Sequence, residues 1–177
     1  MTSLADHMTD KNEFFRLRLV ESPTIEGTSD EYLHIEAAVE VGRFAGSGLF
    51  VSRPDILLDF VAQLGQLAAG RTASATLECG LVGGSEDVVY FSCQIDQVQP
   101  DCDFAAQISV GATGSKGLLN RLHVGLRVSL PSIEAFQAEL KVLVEKRIGS
   151  ATVWPIPGTQ PNKRLQPAAG GEDYRRG

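Results

Sequence analysis

Three histidines, three cysteines and several paired carboxylates are the side chains whose types suit chemistry in this 177-residue chain. Histidine is the usual proton shuttle near neutral pH. His7 lies in a polar start, however, and His34 and His123 each occupy the polar phase of an alternating segment. No third residue at fixed spacing completes a triad, so solvent-facing histidine is the simpler reading, and the pair gains meaning only if the two strands are adjacent. Cys79, Cys93 and Cys102 lack CxxC spacing and a fourth zinc ligand. Cys79 and Cys93 read as small core residues. Cys102 sits between Asp101 and Asp103, whose charges disfavour a thiolate. The glycine-bearing segments GRFAGSG and GLVGGSED match neither GxxxxGK[ST] nor a GxGxxG between strand and helix, and hairpin turns explain them better. Asp30-Glu31, Glu86-Asp87 and Asp101/Asp103 lack the spacing of a calcium loop. The sequence therefore assigns no catalytic residue, no metal ligand and no cofactor.

Composition narrows the class. A hydrophobic fraction of 43% is ample for one core without disulfides or metals. Residues 1–149 carry 12 lysine and arginine against 20 aspartate and glutamate, a net of −8, whereas 150–177 carry 4 against 2. An acidic body argues against a nucleic-acid backbone as partner and favours a basic protein, through steering of encounter. The odd cysteine count and the start MTSLADHMTDKNEFF, with neither a basic opening nor an apolar run, make a cytoplasmic location with reduced thiols the expectation, without membrane association.

The elements that must position any site are anchored by residues 52–70, SRPDILLDFVAQLGQLAAG. Ser52 is expected to cap a helix with Asp55 as its partner, and Pro54 is tolerated in the first turn. Ile56, Phe60, Leu64 and Leu67 then share one face before Gly70 takes a left-handed stop. This helix is echoed in 128–149: Val51-Ser52, Pro54 and Ile56 match Val128-Ser129, Pro131 and Ile133 at an offset of 77, and Phe60, Ala62, Leu64 and Leu67 match Phe136, Ala138, Leu140 and Leu143 at 76. Internal duplication and the common demands of strand-to-helix junctions both account for the echo.

Strict alternation marks the strands. The cleanest places Leu33, Ile35, Ala37, Val39 and Val41 on one side and His34, Glu36, Ala38 and Glu40 on the other. Similar patterns run through 14–20, 44–51, 72–79, 88–96, 104–110 and 122–128, and Gly46 and Gly48 in the third strand in chain order suggest a bulge or a close backbone approach. Short connections predict an α+β fold of two layers: about seven strands in one mostly antiparallel sheet, with both helices on one face and a strand-strand-helix pseudo-repeat. A single domain spans 13–157, with half-units near 32–70 and 104–149; residues 1–12 are expected to be flexible and 158–177 disordered, although Trp154 and Ile156 are expected to dock locally.

If both helices cover one face, the other carries Arg16, Arg18, His34, Glu36, Glu40, Glu78, Tyr90, Gln94, His123 and Arg127. That is the composition of a protein-recognition patch, and equally of an ordinary wet sheet face.

The glycine-broken strand 42–51, the helix with Phe60, Leu64, Leu67 and Gly70, the strand 72–78 and the late helix 131–143 resemble, in order, the small bacterial immunity proteins of the WapI-type group. The resemblance covers about two thirds of the chain and is one of size and polarity, so it carries no functional residue with it. It implies a non-catalytic protein that neutralises a toxin by occluding it. A small-molecule-binding or enzymatic domain is the alternative, and self-association through an open strand edge or the wet face is a third reading.

Overall fold

The computed structural model describes residues 13–20, 32–81, 88–99, 103–113 and 119–156. The expectations for 1–12 and 158–177, His7, Cys102, the GLVGGSED turn and the loop carboxylates Asp30-Glu31, Glu86-Asp87 and Asp101 lie outside the described residues.

Eight strands and two helices follow one another as β1 (Phe14–Leu19), β2 (Leu33–Val41), β3 (Phe44–Ser52), α1 (Pro54–Ala68), β4 (Ser74–Leu81), β5 (Val88–Gln99), β6 (Asp103–Thr113), β7 (Leu119–Ser129), α2 (Leu130–Lys146) and β8 (Ser150–Val153). The fold is α+β and antiparallel, but the strands form two sheets rather than one. Their orders are β3-β2-β1-β8 and β4-β5-β6-β7. The expected single seven-stranded sheet is therefore corrected, for a reason the chain path makes plain. Each helix carries the chain from one sheet to the other: after α1 the chain pairs with β5 as β4, and after α2 it returns to pair with β1 as β8. The eighth strand is short, but Ala151 and Val153 are buried and Thr152 is not, so its period of two was present beyond residue 149.

The two halves, β1-β2-β3-α1-β4 and β5-β6-β7-α2-β8, repeat one another in register. The pair Phe15↔Val39 recurs as Phe91↔Val110, and Leu33↔Ser52 recurs as Phe104↔Val128. Counterparts 76 residues apart then meet in the core. Phe15 stacks on Phe91 at 5.8 Å and 11°, and Phe60 meets Phe136 edge-on at 6.5 Å and 73°. Contact between equivalent residues is what a local twofold axis requires. The helix α1 to helix α2 contact adds Gln137, whose Nε2 donates to the carbonyl of Val61 at 3.1 Å.

One hydrophobic cluster joins the inward phases of both sheets to both helices. Phe91 lies at its centre, stacked on Phe15 and also on Phe50 at 4.6 Å and 6°. Stacking of this kind adds to the area buried. Gly46 and Gly48 are the expected close approach: a Cβ at Gly46 would lie 2.7 Å from Leu122 Cδ2, and one at Gly48 2.8 Å from Val110 Cγ1. The β2-β3 ladder runs without a register shift, so the glycines serve the sheet-to-sheet approach and not a bulge.

The ends of α1 depart from expectation at one terminus only. Arg53 is the N-cap residue and makes no side-chain cap bond; Ser52 is buried and its Oγ donates to the Arg53 carbonyl at 3.2 Å. Asp55 instead accepts from the N–H of Ile56 at 3.0 Å. The buried stripe is Leu57, Phe60, Val61, Leu64 and Leu67, while Ile56 is 42% exposed. Leu57 is thus the counterpart of Ile133, and the offset is 76 throughout the helix. At the other end, Gly70 takes φ +66° with Gly70 N–H donating to the Leu67 carbonyl and Arg71 N–H to that of Gln66, the Schellman closure.

Candidate functional site

The ten residues of the anticipated face divide between the sheets. Arg16, Arg18, His34, Glu36 and Glu40 belong to β1 and β2, and Glu78, Tyr90, Gln94, His123 and Arg127 to β4, β5 and β7. Because the sheets bury their inward phases against each other, their outer faces point apart, and the single surface becomes two. His34 and His123 are accordingly on different sheets and form no pair. Tyr90 is placed by its backbone alone, in β5.

The first outer face combines charge with exposed apolar surface. Arg18 and Glu36 are cross-strand partners, with Arg18 Nη2 2.8 Å from Glu36 Oε2. Arg16 on the same strand lays its guanidinium over the Phe14 ring at 5.3 Å, and Phe14 in turn contacts the Trp154 ring at 6.3 Å. Arginine over an aromatic face gains from the ring quadrupole. Arg16 Nε is buried with no hydrogen-bond partner among the described residues. Trp154 is held by its backbone: its N–H donates to Ser132 Oγ at 3.0 Å, and that hydroxyl donates to the Trp154 carbonyl at 2.8 Å. Helix α2 therefore fixes where Trp154 stands, while the indole stays 50% exposed. On the far side of β2, Leu49 lies opposite Glu36 and is 64% exposed.

The second outer face is polar throughout its described centre. Glu78, Ser92, Ser109 and His123 form one row across β4, β5, β6 and β7. Ser109 Oγ lies 2.7 Å from His123 Nδ1. Gln94 Nε2 donates to Asp96, and Arg127 pairs with Asp103. Serine beside histidine is the opening of a nucleophilic arrangement, but among the described residues no carboxylate bonds the imidazole to orient it. Solvated hydroxyls and amides give the described centre of this face its hydrogen-bonding capacity, and Val98, near the end of β5, is exposed beside them.

The two described thiols stand at neither face. Cys79 and Cys93 are buried and free, as their inward phases implied. Burial pushes the Cys93 thiol up to about 12 and that of Cys79 up to about 11, the latter partly offset by a hydrogen bond with Ser52. Among the described residues no group of three histidine, cysteine, aspartate or glutamate side chains is arranged to hold a metal, and no helix is long and apolar enough to cross a membrane.

Sequence reasoning missed Phe14, Leu49 and Trp154 as surface features. Phe14 shares the phase of Arg16 and Arg18 in the alternation of β1 but is absent from the anticipated face, and Leu49 falls on the outward phase only once the phase of β3 is set by Phe50. Trp154 falls on the outward phase that the alternation of Ala151 and Val153 sets, the one signal that pointed to it. Comparison with protein-family models, with curated proteins and with solved structures found no match for the chain.

Proposed function

We propose that this chain is a non-catalytic protein-binding module that engages its partner through the outer face of the first sheet. The observation that carries this reading is the Trp154, Phe14 and Arg16 cluster, held in place by Ser132 and flanked by the exposed Leu49. Tryptophan and arginine dominate binding energies at interfaces, and a pre-positioned aromatic loses little conformational freedom on docking. The overall charge of −6 favours a basic partner, and a bacterial toxin domain occluded by this face is the partner class we favour. The flanking Arg18–Glu36 pair, which is exposed, contributes to orientation more than to affinity.

Trp154 is the only tryptophan in the chain, so its fluorescence reports on the face directly. A toxin domain encoded beside this gene is expected to be retained by the tagged protein, to blue-shift the Trp154 emission, and to bind Arg16→Ala and Trp154→Phe variants at least about tenfold more weakly. Retention with unchanged emission and unchanged affinity of both variants would remove this face from the interaction.

A further inference from the structure

Four strands end the two sheets, and three of them carry a device that discourages pairing with another chain. Strand β4 has a register shift between Cys79 and Gly80 next to Glu78, β7 presents His123 and Arg127, and β8 is four residues long, with Pro155 two residues beyond its end. Short length, charge, proline and bulges are the common ways in which an edge is blunted. The remaining edge, β3, has none of them. Its nine residues, FAGSGLFVS, are uncharged and lack proline, its ladder with β2 is regular, and on its other side no strand pairs with it among the described residues. It is also held in place from behind, where Gly46 and Gly48 press against Leu122 and Val110. Its two large exposed side chains are Phe44, at 60% and at the start of the strand, and Leu49, at 64% and just past its middle.

We infer that β3 pairs antiparallel with β3 of a second copy of this chain, joining two four-stranded sheets into one of eight. The strand fits itself better than it fits a charged partner. Antiparallel pairing about Ser47 is isologous and sets Leu49 opposite Ala45 of the second copy, Gly48 opposite Gly46, and Phe50 opposite Phe44. Each exposed apolar side chain is then matched to a small or apolar one, and no like charges meet across the seam, the usual obstacle to self-association of a chain with net charge −6. A seam this short buries less than a standard interface, so association belongs in the micromolar range. It takes Leu49 into the seam but leaves the Trp154, Phe14 and Arg16 cluster open and presents two copies of it side by side, so partner binding through that cluster and pairing through β3 are separable by experiment.

The test is sedimentation of the full chain from about 1 to about 500 μM, the range in which a small interface associates. The expected mass rises from 19.0 kDa toward twice that value. Ala45→Lys/Leu49→Lys places like charges opposite each other twice across the seam, and so does Ala45→Glu/Leu49→Glu. Both positions are exposed, and each variant is expected to melt as the wild type does while associating at least about tenfold more weakly. Mixing the two variants is expected to restore a mixed dimer. Amide exchange of the wild-type chain needs no substitution, and it is expected to slow with concentration at residues 44–49. A wild-type chain monomeric throughout, charged variants that associate as the wild type does, absence of the mixed dimer, or exchange in β3 indifferent to concentration would each overturn the pairing.

Discussion

The two outer faces are built on equivalent backbones and differ almost wholly in chemistry. By register, Arg16 corresponds to Ser92, Arg18 to Gln94, Glu36 to Gln107, Ala38 to Ser109 and Leu49 to Gly125. One half displays charge, aromatic rings and an exposed leucine where the other displays hydroxyls, amides and a glycine. The inward positions behave in the opposite way: Phe15 and Phe91, Leu57 and Ile133, Phe60 and Phe136, Leu64 and Leu140, and Leu67 and Leu143 are alike and all buried. Packing around a local axis restricts size and shape on the inside, because each residue meets its own counterpart or a close neighbour of it. Solvent imposes no such match outside, so the halves are free to take different tasks.

The strongest way to break the comparison is at the axis. Phe91→Ala is expected to cost about 3–5 kcal/mol, measured by denaturant unfolding, because it leaves both Phe15 and Phe50 without their stacking partner. Phe15→Ala, its counterpart, should cost a similar amount if the axis is energetically shared, and much less if the second half alone holds the core.

The buried thiols give a pH test of the same core. Both folded-state values, about 11 and about 12, lie above the ordinary 9.0, so the unfolded chain ionises first as pH rises. Their contribution is whole below about pH 9 and is lost as pH climbs toward the folded values, at up to about 1.4 kcal/mol per pH unit per thiol. Unfolding free energies from about pH 8 to about pH 10.5, compared with a Cys93→Ala variant, are expected to show the slope shrink in the variant.

Two glycines sharpen the contrast between seam and surface. Gly48→Ala should cost about 1–3 kcal/mol, because its Cβ would press on Val110 and the Gly111 carbonyl. Gly125→Ala, in open space on the second face, should stay within about 0.5 kcal/mol. Equal thermal shifts for the two would mean that the sheets do not approach closely at β3.

The helix ends should differ least, and in sign. A Cβ at Gly70, where φ is +66°, would meet nothing within 4 Å, so Gly70→Ala isolates backbone strain and should lose about 1 kcal/mol. Helix α2 closes instead on Arg147 at φ 51°, a left-handed residue with a side chain, and Arg147→Gly should gain up to about 1 kcal/mol. Melting temperatures moving in the same direction would contradict that account.

What could be read in advance followed from local physics. Alternation placed seven strands within a few residues of their true bounds, since one side of each is buried whatever it pairs with. The glycines of β3 announced either a bulge or a close approach, and the regular β2-β3 ladder with the second sheet behind it decides for the approach. The phase of α1 was less secure: Ile56 and Leu57 both continue an apolar stripe through Phe60, and only the second sheet, packed beneath, decides that Leu57 turns inward.

By itself, then, the sequence determined both helices, seven of the eight strands and their order, most of the inward set and the echo between the halves, because period, propensity and turn chemistry act over a few neighbouring residues. Tertiary structure alone decided that β4 and β8 change sheets, that the polar positions form two faces and that Trp154 joins Phe14 and Arg16 on one of them. Hydrogen-bonded pairing is a relation between distant segments, and a strand's period of two is the same beside any partner. Which strand lies next to which is settled only when both sheets and both helices find an arrangement that leaves no apolar face uncovered.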